Sequence, residues 1–310
     1  MKSVRIATRG SRLALTQAEI VTKTLKSLDP SVEISIVIIS TKGDRDKSDF
    51  LYKAESVGFF TSEVANALLD GRADLAVHSL KDLPTTIRDG LVIAAVPKRE
   101  NPADVIIARG QMTSIADIPA GATVGTSSLR RIAQIKNLRD DLKCVPMRGN
   151  VETRLSKVAS GQLDAAILAY AGLNRLGLSD KVSLILSPRD FIPAPAQGAL
   201  GLQTRANDMQ IRNLVAKLDD AQSRLEVEAE RHVLAAMHGG CSIPLGVYAE
   251  ICNSTITINA MLSDPQGKNF IRRSITSPAD TAIKSAQQLA QQMLSAGGRE
   301  ILDQIRQQRN

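Results

Sequence analysis

Gly71-Arg72-Ala73-Asp74-Leu75-Ala76-Val77 and Gly161-Gln162-Leu163-Asp164-Ala165-Ala166-Ile167 share one pattern. In each a glycine follows a helical stretch, an aspartate comes three residues later, and an apolar run of strand length begins. Two further pieces match in the same order. Thr8-Arg9-Gly10-Ser11 corresponds to Thr126-Ser127-Ser128, and Lys42-Gly43-Asp44 to Arg148-Gly149-Asn150. Together the matches predict two similar α/β lobes. Two such lobes normally close on a ligand between them, with hinges at the crossovers.

Outward from these stretches, strands are expected at 4–8, 32–40 and 75–78 and helices at 12–28 and 61–69. Strands at 122–125, 143–147 and 165–169, with helices from about 129 and 150, repeat the order. This alternation argues for α/β architecture with a largely parallel sheet. Residues 41–57 are polar and charged and are expected to form a loop. Prolines mark crossovers at 97–102 and 187–195, after which 198–204 returns to the first lobe as a strand. Past 220 the pattern changes. A helix at 226–237, strands at 248–262 and 269–276 around a turn at Asp264-Pro265-Gln266-Gly267, and a helix at 279–307 interrupted near Gly297-Gly298 predict a smaller α/β domain. The expected domains are 1–98 with 198–217, 102–193, and 220–310.

Bulk composition narrows the function. Of the 310 residues 43% are hydrophobic but only 3% aromatic, with no Trp, so the core is aliphatic and base-stacking platforms are disfavoured. A net charge of +7 suggests an anionic partner. The arginines recur at loop–helix junctions rather than in a run, which suits a small polyanion better than nucleic acid. No Walker A pattern and no strand-following G-x-G-x-x-G is present, which disfavours nucleotides. Cys144, Cys241 and Cys252 fit neither a disulfide framework nor a zinc pattern, so a reducing compartment is expected. The scattered histidines give no metal site. No apolar run is long enough to span a membrane and the N-terminus lacks a signal-peptide core, so a cytoplasmic location is expected.

Four stretches carry candidate chemistry. His78-Ser79-Leu80-Lys81-Asp82-Leu83-Pro84 ends a buried strand, where open α/β sheets place their ligands. Lys81 there suits a carboxylate, and Asp82 a developing cation or a proton. The plain alternative is a surface Lys–Asp turn. Gly125-Thr126-Ser127-Ser128-Leu129-Arg130-Arg131 opens a helix, whose free N–H groups favour anions. Here the alternative is a serine cap with two solvated arginines. Arg148-Gly149-Asn150, with Arg154 one turn on, repeats the arrangement, and Arg9, Ser11 and Arg175 hold comparable positions. Gln197, among the small residues that follow Pro193 and Pro195, reads as a hinge or as a linker. In Gly239-Gly240-Cys241-Ser242-Ile243-Pro244 a stiff loop presents a single sulfur, and no Cys–His–Asn relay is identifiable. An attachment point for a cofactor is the sharp reading.

Taken in chain order, these residues resemble the hydroxymethylbilane synthase (porphobilinogen deaminase) family over essentially the whole length. The resemblance rests on Arg5-Ile6-Ala7-Thr8-Arg9 with Ser11, 78–84, 124–131, Arg148-Gly149-Asn150 with Thr153-Arg154-Leu155, Ala171-Gly172-Leu173 with Arg175, Gln197-Gly198-Ala199, and Gly239-Gly240-Cys241. It implies three domains, the first two like type II periplasmic-binding-protein lobes around a cleft. It implies a dipyrromethane cofactor joined by a thioether to Cys241, and condensation of four porphobilinogen molecules with loss of ammonia. Asp82 matches the family aspartate that contacts pyrrole nitrogens and stabilises the azafulvene cation. Lys81, Thr126, Ser127, Ser128, Arg130, Arg131 and Gly149 match residues that hold cofactor carboxylates. Arg9, Ser11, Arg148, Arg154, Arg175 and Gln197 match positions that serve substrate or the growing chain. The resemblance also favours a monomer. At Val57 the family often carries a lysine, so a charged role for that position is not expected here. A solute-binding protein and a pyridoxal-phosphate enzyme built on Lys81 are the competing classes.

Overall fold

Both Gly-x-x-Asp stretches fold by one device. Gly71 and Gly161 take positive φ, 68° and 78°, the left-handed conformation that ends a helix and that glycine adopts without penalty. Three residues later the aspartate N–H meets the neighbouring strand: Asp74 donates to the Arg5 carbonyl at 2.9 Å and Asp164 to the Thr123 carbonyl at 3.1 Å. Each carboxylate then accepts from that same neighbour. Asp74 takes the Arg5 N–H at 3.0 Å and its guanidinium at 2.9 and 3.0 Å, whereas Asp164 takes the Thr123 N–H at 2.8 Å and its hydroxyl at 2.7 Å. Burial pushes Asp74 up, but the bonds from Arg5 and Arg205 outweigh it and hold the carboxyl below its ordinary value.

The computed structural model describes residues 3–41, 61–237 and 243–307. Its elements begin with β1 (Ser3–Thr8), α1 (Arg12–Leu28), β2 (Glu33–Ile38), α2 (Ser62–Leu69), β3 (Leu75–Ser79) and β4 (Leu91–Ala95). Then come β5 (Asp104–Ala108), β6 (Thr123–Gly125), α3 (Leu129–Leu138), β7 (Lys143–Val145), α4 (Val151–Ala159), β8 (Ala165–Ala169), α5 (Tyr170–Arg175) and β9 (Leu184–Ile185). The chain continues with β10 (Leu200–Arg205), α6 (Met209–Val215), α7 (Ala221–Ala236), β11 (Leu245–Cys252), β12 (Thr255–Ser263), β13 (Phe270–Pro278), α8 (Ala282–Met293) and α9 (Arg299–Gln307).

The first sheet runs β2-β1-β3-β10-β4 and the second β7-β6-β8-β5-β9. In each, a single strand opposes its neighbours: β10 in the first, β5 in the second. Both are strands entered directly from a crossover, so the lobes exchange one strand's worth of chain in each direction. This is the arrangement of type II periplasmic-binding-protein lobes, α/β throughout.

Alternating side chains supply a core on both faces of each sheet. Val4, Ile6, Leu75, Val77, Leu200 and Leu202 pack on Ala18, Val21 and Leu25 of α1. The intervening Ala7 and Ala76 meet Val64, Ala67 and Leu68 of α2. In the second lobe Ile106, Val124, Ala165 and Ile167 pack on Ile135, while Val105, Ile107, Ala166 and Leu168 pack on Val158 and Leu173. The apolar end of β2 behaves differently. As an edge strand it leaves Ile38 60% exposed, although the sequence there reads as a continuous apolar run.

Contacts divide the chain into two units, 1–100 with 198–225 and 101–197 with 226–310. The second unit therefore contains both the second five-stranded sheet and the antiparallel sheet β11-β12-β13. Close approaches join them. A Cβ on Gly246 would lie 2.7 Å from the Ile192 carbonyl, and one on Gly267 2.6 Å from the Ala133 carbonyl. The single strand expected at 248–262 is two strands. Asn253 and Ser254, at φ 48° and 63°, turn the chain between β11 and β12 in a two-residue hairpin. The turn at Asp264 is present, its carboxylate accepting from the N–H groups of Gln266, Lys268 and Asn269. The break between α8 and α9 falls at Gly297, φ 101°.

Candidate active site

In the first unit, strand β3 delivers the site. Its four residues Leu75–His78 are buried, and a single 3-10 turn, Leu80–Asp82, then lifts Asp82 to the surface. The Leu80 N–H, donating to Ala199 O at 3.0 Å, fixes where that turn begins. Asp82 lines a pocket with Arg9, Ser11, Gln17, Thr61, His78 and Ser79. Ser11 also caps α1, accepting from the Ala14 N–H at 3.3 Å. Lys81, half-buried, is not among the residues that line this pocket.

Gln17, which no sequence motif singles out, also lines the pocket. It is 3% exposed and donates to the Ser79 hydroxyl at 2.9 Å. The available signal is a glutamine on the apolar face of α1, beside Ala18, Val21 and Leu25. His78 is 7% exposed, and burial pushes its imidazole down to about 4, against a weaker opposing effect of hydrogen bonding with Gln203.

In the second unit the arginines sort into two kinds. Arg130 and Arg131 are 4% and 7% exposed and both serve Asp104, which is 0% exposed. Arg130 Nη1 lies 2.6 Å from Asp104 Oδ2 and 2.8 Å from the Ile192 carbonyl. Arg131 donates to Asp104 Oδ1 through Nε at 3.1 Å and Nη2 at 2.7 Å, and to the Ile167 carbonyl through Nη1 at 2.8 Å. Burial pushes Asp104 up, but the two guanidinium charges prevail and hold it well below the usual carboxylate range. Solvated arginines are thus ruled out. Gln197 joins the same carboxylate, donating to Asp104 Oδ1 at 2.9 Å and to the Pro102 carbonyl at 2.8 Å, so the small-residue segment is anchored rather than a mere linker.

Arg148 and Arg154 are the other kind. Arg148 Nε is buried with no hydrogen-bond partner among the described residues. Arg154 donates to the Gly149 carbonyl at 2.9 Å, and burial, reinforced by the charge of Arg131, pushes its guanidinium down to about 10. It remains charged at neutral pH. The loop holding these residues is stiff: Gly149 sits at φ 109°, Asn150 caps α4 by accepting from the Thr153 N–H at 2.8 Å, and a Cβ on Gly149 would lie 2.8 Å from Thr153. Ser127 ties the opposite turn to it, accepting from the Met147 N–H at 2.9 Å and donating to the Met147 carbonyl at 3.1 Å. That hydroxyl hydrogen is therefore engaged within the protein. Thr126 is buried, its hydroxyl accepting from the Ser128 N–H at 3.2 Å. Ser128 makes no side-chain cap to α3. Arg175 closes α5, half-buried.

Cys241 and the rest of 238–242, together with residues 42–57 of the loop expected over 41–57, Val57 among them, lie outside the described residues. No group of three or more potential metal ligands occurs among the described residues, and no helix there is long and apolar enough to cross a membrane.

Comparison with known proteins agrees with this layout. Residues 4–213 match the family model described as porphobilinogen deaminase, dipyromethane cofactor binding domain, and residues 224–295 match its C-terminal domain. Porphobilinogen deaminase of Maridesulfovibrio salexigens is 43% identical over 305 residues, covering 98% of this chain and 99% of that protein. The enzymes of Syntrophobacter fumaroxidans and Chromobacterium violaceum are 42% and 40% identical over 302 residues, with 97% of both chains covered in each case. Among solved structures, the methionine-binding protein MetQ is similar at a TM-score of 0.44 and 12% identity, over 74% of this chain and 94% of that one. The chain belongs to the porphobilinogen deaminase (hydroxymethylbilane synthase) family, transferases of tetrapyrrole synthesis that carry a dipyrromethane cofactor.

Proposed function

We propose that this chain condenses four porphobilinogen molecules head to tail on a dipyrromethane joined to Cys241, releasing ammonia at each step and hydroxymethylbilane at the end. The observation that carries the residue assignment is Arg148. A buried guanidinium nitrogen without a partner is costly, and an anion relieves the cost. On the same loop Arg154, bonded to the Gly149 carbonyl, is desolvated and feels the charge of Arg131. Asp104 faces both Arg130 and Arg131, so one positive charge of that trio is left over. A dipyrromethane, with an acetate and a propionate on each ring, fits such a site.

Lys81, Thr126, Ser127, Ser128, Arg130, Arg131 and Gly149 would hold the cofactor, Gly149 by letting its backbone approach closely and Ser127 through its main-chain N–H, since its hydroxyl is bonded to Met147. When bound, the cofactor supplies the nucleophilic pyrrole carbon from which the chain is extended. Arg9, Ser11, Arg148, Arg154 and Arg175 orient the carboxylates of substrate and product through charge-assisted hydrogen bonds. Gln197 acts from the crossover. Asp82, exposed at the end of its turn, accepts from pyrrole N–H groups and opposes positive charge as the amine leaves. Three separate sheets support the functional division into 1–98 with 198–217, 102–193 and 220–310. A monomer in the cytoplasm is the state in which we expect it to act.

Asp82→Ala tests the central assignment. Loss of hydroxymethylbilane formation in a protein that melts like wild type supports it, and turnover at the wild-type rate refutes it. Asp82 is exposed, so its removal is expected to change stability by less than about 0.5 kcal/mol.

A further inference from the structure

Gln17 and Ser79 meet in the wall of the Asp82 pocket, and no role falls to either in the reading above. Gln17 is the first buried residue of α1, and Ser79 is the last residue of β3. A buried amide is costly unless it is hydrogen-bonded, and here both polar atoms of the amide engage one hydroxyl. Gln17 Nε2 donates to Ser79 Oγ at 2.9 Å, and Ser79 Oγ donates to Gln17 Oε1 at 3.3 Å.

A hydroxyl has one hydrogen and two lone pairs. The Gln17 N–H fills one lone pair at an ordinary distance. The hydrogen has the longer bond, 3.3 Å where an O–H···O bond is usually about 2.7–2.8 Å. A stronger acceptor therefore wins it at little cost. Ser79 also stands where a serine commonly caps the turn that follows, with extended backbone just before Leu80–Asp82, yet its side chain makes no cap bond there. Gln17 holds the hydroxyl instead. Ser79 is half-buried and lines the pocket, so a ligand can reach it.

The chemistry of porphobilinogen selects the acceptor. Its pyrrole N–H and its ammonium only donate, so its carboxylates are what the Ser79 hydrogen can meet. Arg9 and Ser11, in the same lining, suit carboxylates too, whereas the Thr8 hydroxyl is engaged by the Ala14 carbonyl at 3.1 Å. An O–H···O bond to a carboxylate is roughly twice as strong as a neutral one. We propose that Gln17 is a positioning residue, which holds the Ser79 hydroxyl so that its hydrogen is donated to a carboxylate of porphobilinogen. This inference rests on the reading of the Asp82 pocket as the substrate site.

The test is a double-mutant cycle on the cofactor-loaded enzyme, with porphobilinogen as substrate and KM and kcat read separately. Ser79→Ala removes the donor and is expected to raise KM roughly ten- to 150-fold with kcat little changed. Gln17→Met keeps the length of the side chain and removes the amide. It is expected to raise KM roughly two- to tenfold in the wild-type background and not at all in Ser79→Ala. Gln17→Leu stands in should Gln17→Met fail to fold. An unchanged KM in Ser79→Ala overturns the proposal. So does an equal rise from the Gln17 variant in both backgrounds, the result of a merely structural tie between α1 and β3. Arg9→Met is the control. If it raises KM and Ser79→Ala does not, this proposal alone falls; if neither variant changes KM, the reading of the pocket as the substrate site falls with it.

Discussion

Arg131 grips Asp104 through two guanidinium nitrogens, Nε at 3.1 Å and Nη2 at 2.7 Å, at the very start of β5. The carboxylate also takes Arg130 and Gln197, so one buried charge organises the helix that carries the family's anion-binding motif and the segment before β10. Breaking a buried pair leaves the partner charges uncompensated, and this costs more than the pair itself contributes. Asp104→Asn keeps the shape and removes the charge. It is expected to lower the unfolding free energy by about 3–5 kcal/mol, read from urea midpoints. A loss below about 1 kcal/mol would show that the pair is dispensable.

Arg148 predicts the opposite balance. Its Nε has no partner among the described residues, so Arg148→Met should leave the melting temperature of the cofactor-free protein unchanged or raise it. The cofactor should suffer instead, because a lost charged hydrogen bond is worth about 1.5–3 kcal/mol, or roughly ten- to 150-fold in affinity. The fraction of chains carrying the cofactor mass, set beside the melting curve, checks both halves.

His78 ties stability to pH. Its folded value of about 4 lies below the ordinary 6.5, so the unfolded chain binds a proton that the folded chain refuses between those limits. Stability from this group is therefore complete above pH 6.5 and is lost as pH falls toward 4. Across that window wild type should lose up to ~3 kcal/mol more than His78→Asn. Denaturant titrations at several pH values measure the gap, and parallel curves for the two proteins would remove His78 as its source.

The hairpin between β11 and β12 holds Asn253 and Ser254 at positive φ. Asn tolerates this conformation and serine does so poorly. Ser254→Gly relieves the strain at some cost in unfolded-chain entropy, for an expected gain of about 0.5 kcal/mol. A lower melting temperature in this variant would contradict a strained left-handed conformation at Ser254.

The same hairpin shows where the sequence was opaque. Asn253-Ser254 is a weaker turn signal than Asn-Gly, and apolar residues alternate on both sides of it, so 248–262 reads as one strand. By contrast α1 was legible to the residue, because Ser11 caps it and Ala18, Val21 and Leu25 mark its buried stripe. The lobes were legible through Gly71 and Gly161, whose positive φ and following aspartates are local features. Asp104 was not. Its partners Arg130, Arg131 and Gln197 are 26, 27 and 93 residues away, and nothing in the sequence around it announces a buried charge. The motifs at 125–131 and 148–150 were visible as anion sites, but only the fold distinguishes the arginines that share Asp104 from the one left with a bare Nε.

The central claim is that this chain extends a covalent dipyrromethane anchored at Cys241. Intact mass of the denatured protein, purified from cells able to make porphobilinogen, tests it most directly. The account predicts the chain mass plus one dipyrromethane, further increments of one pyrrole unit on brief exposure to porphobilinogen, and the bare mass for Cys241→Ser. A bare mass for wild type, or an unchanged cofactor mass on Cys241→Ser, would contradict it.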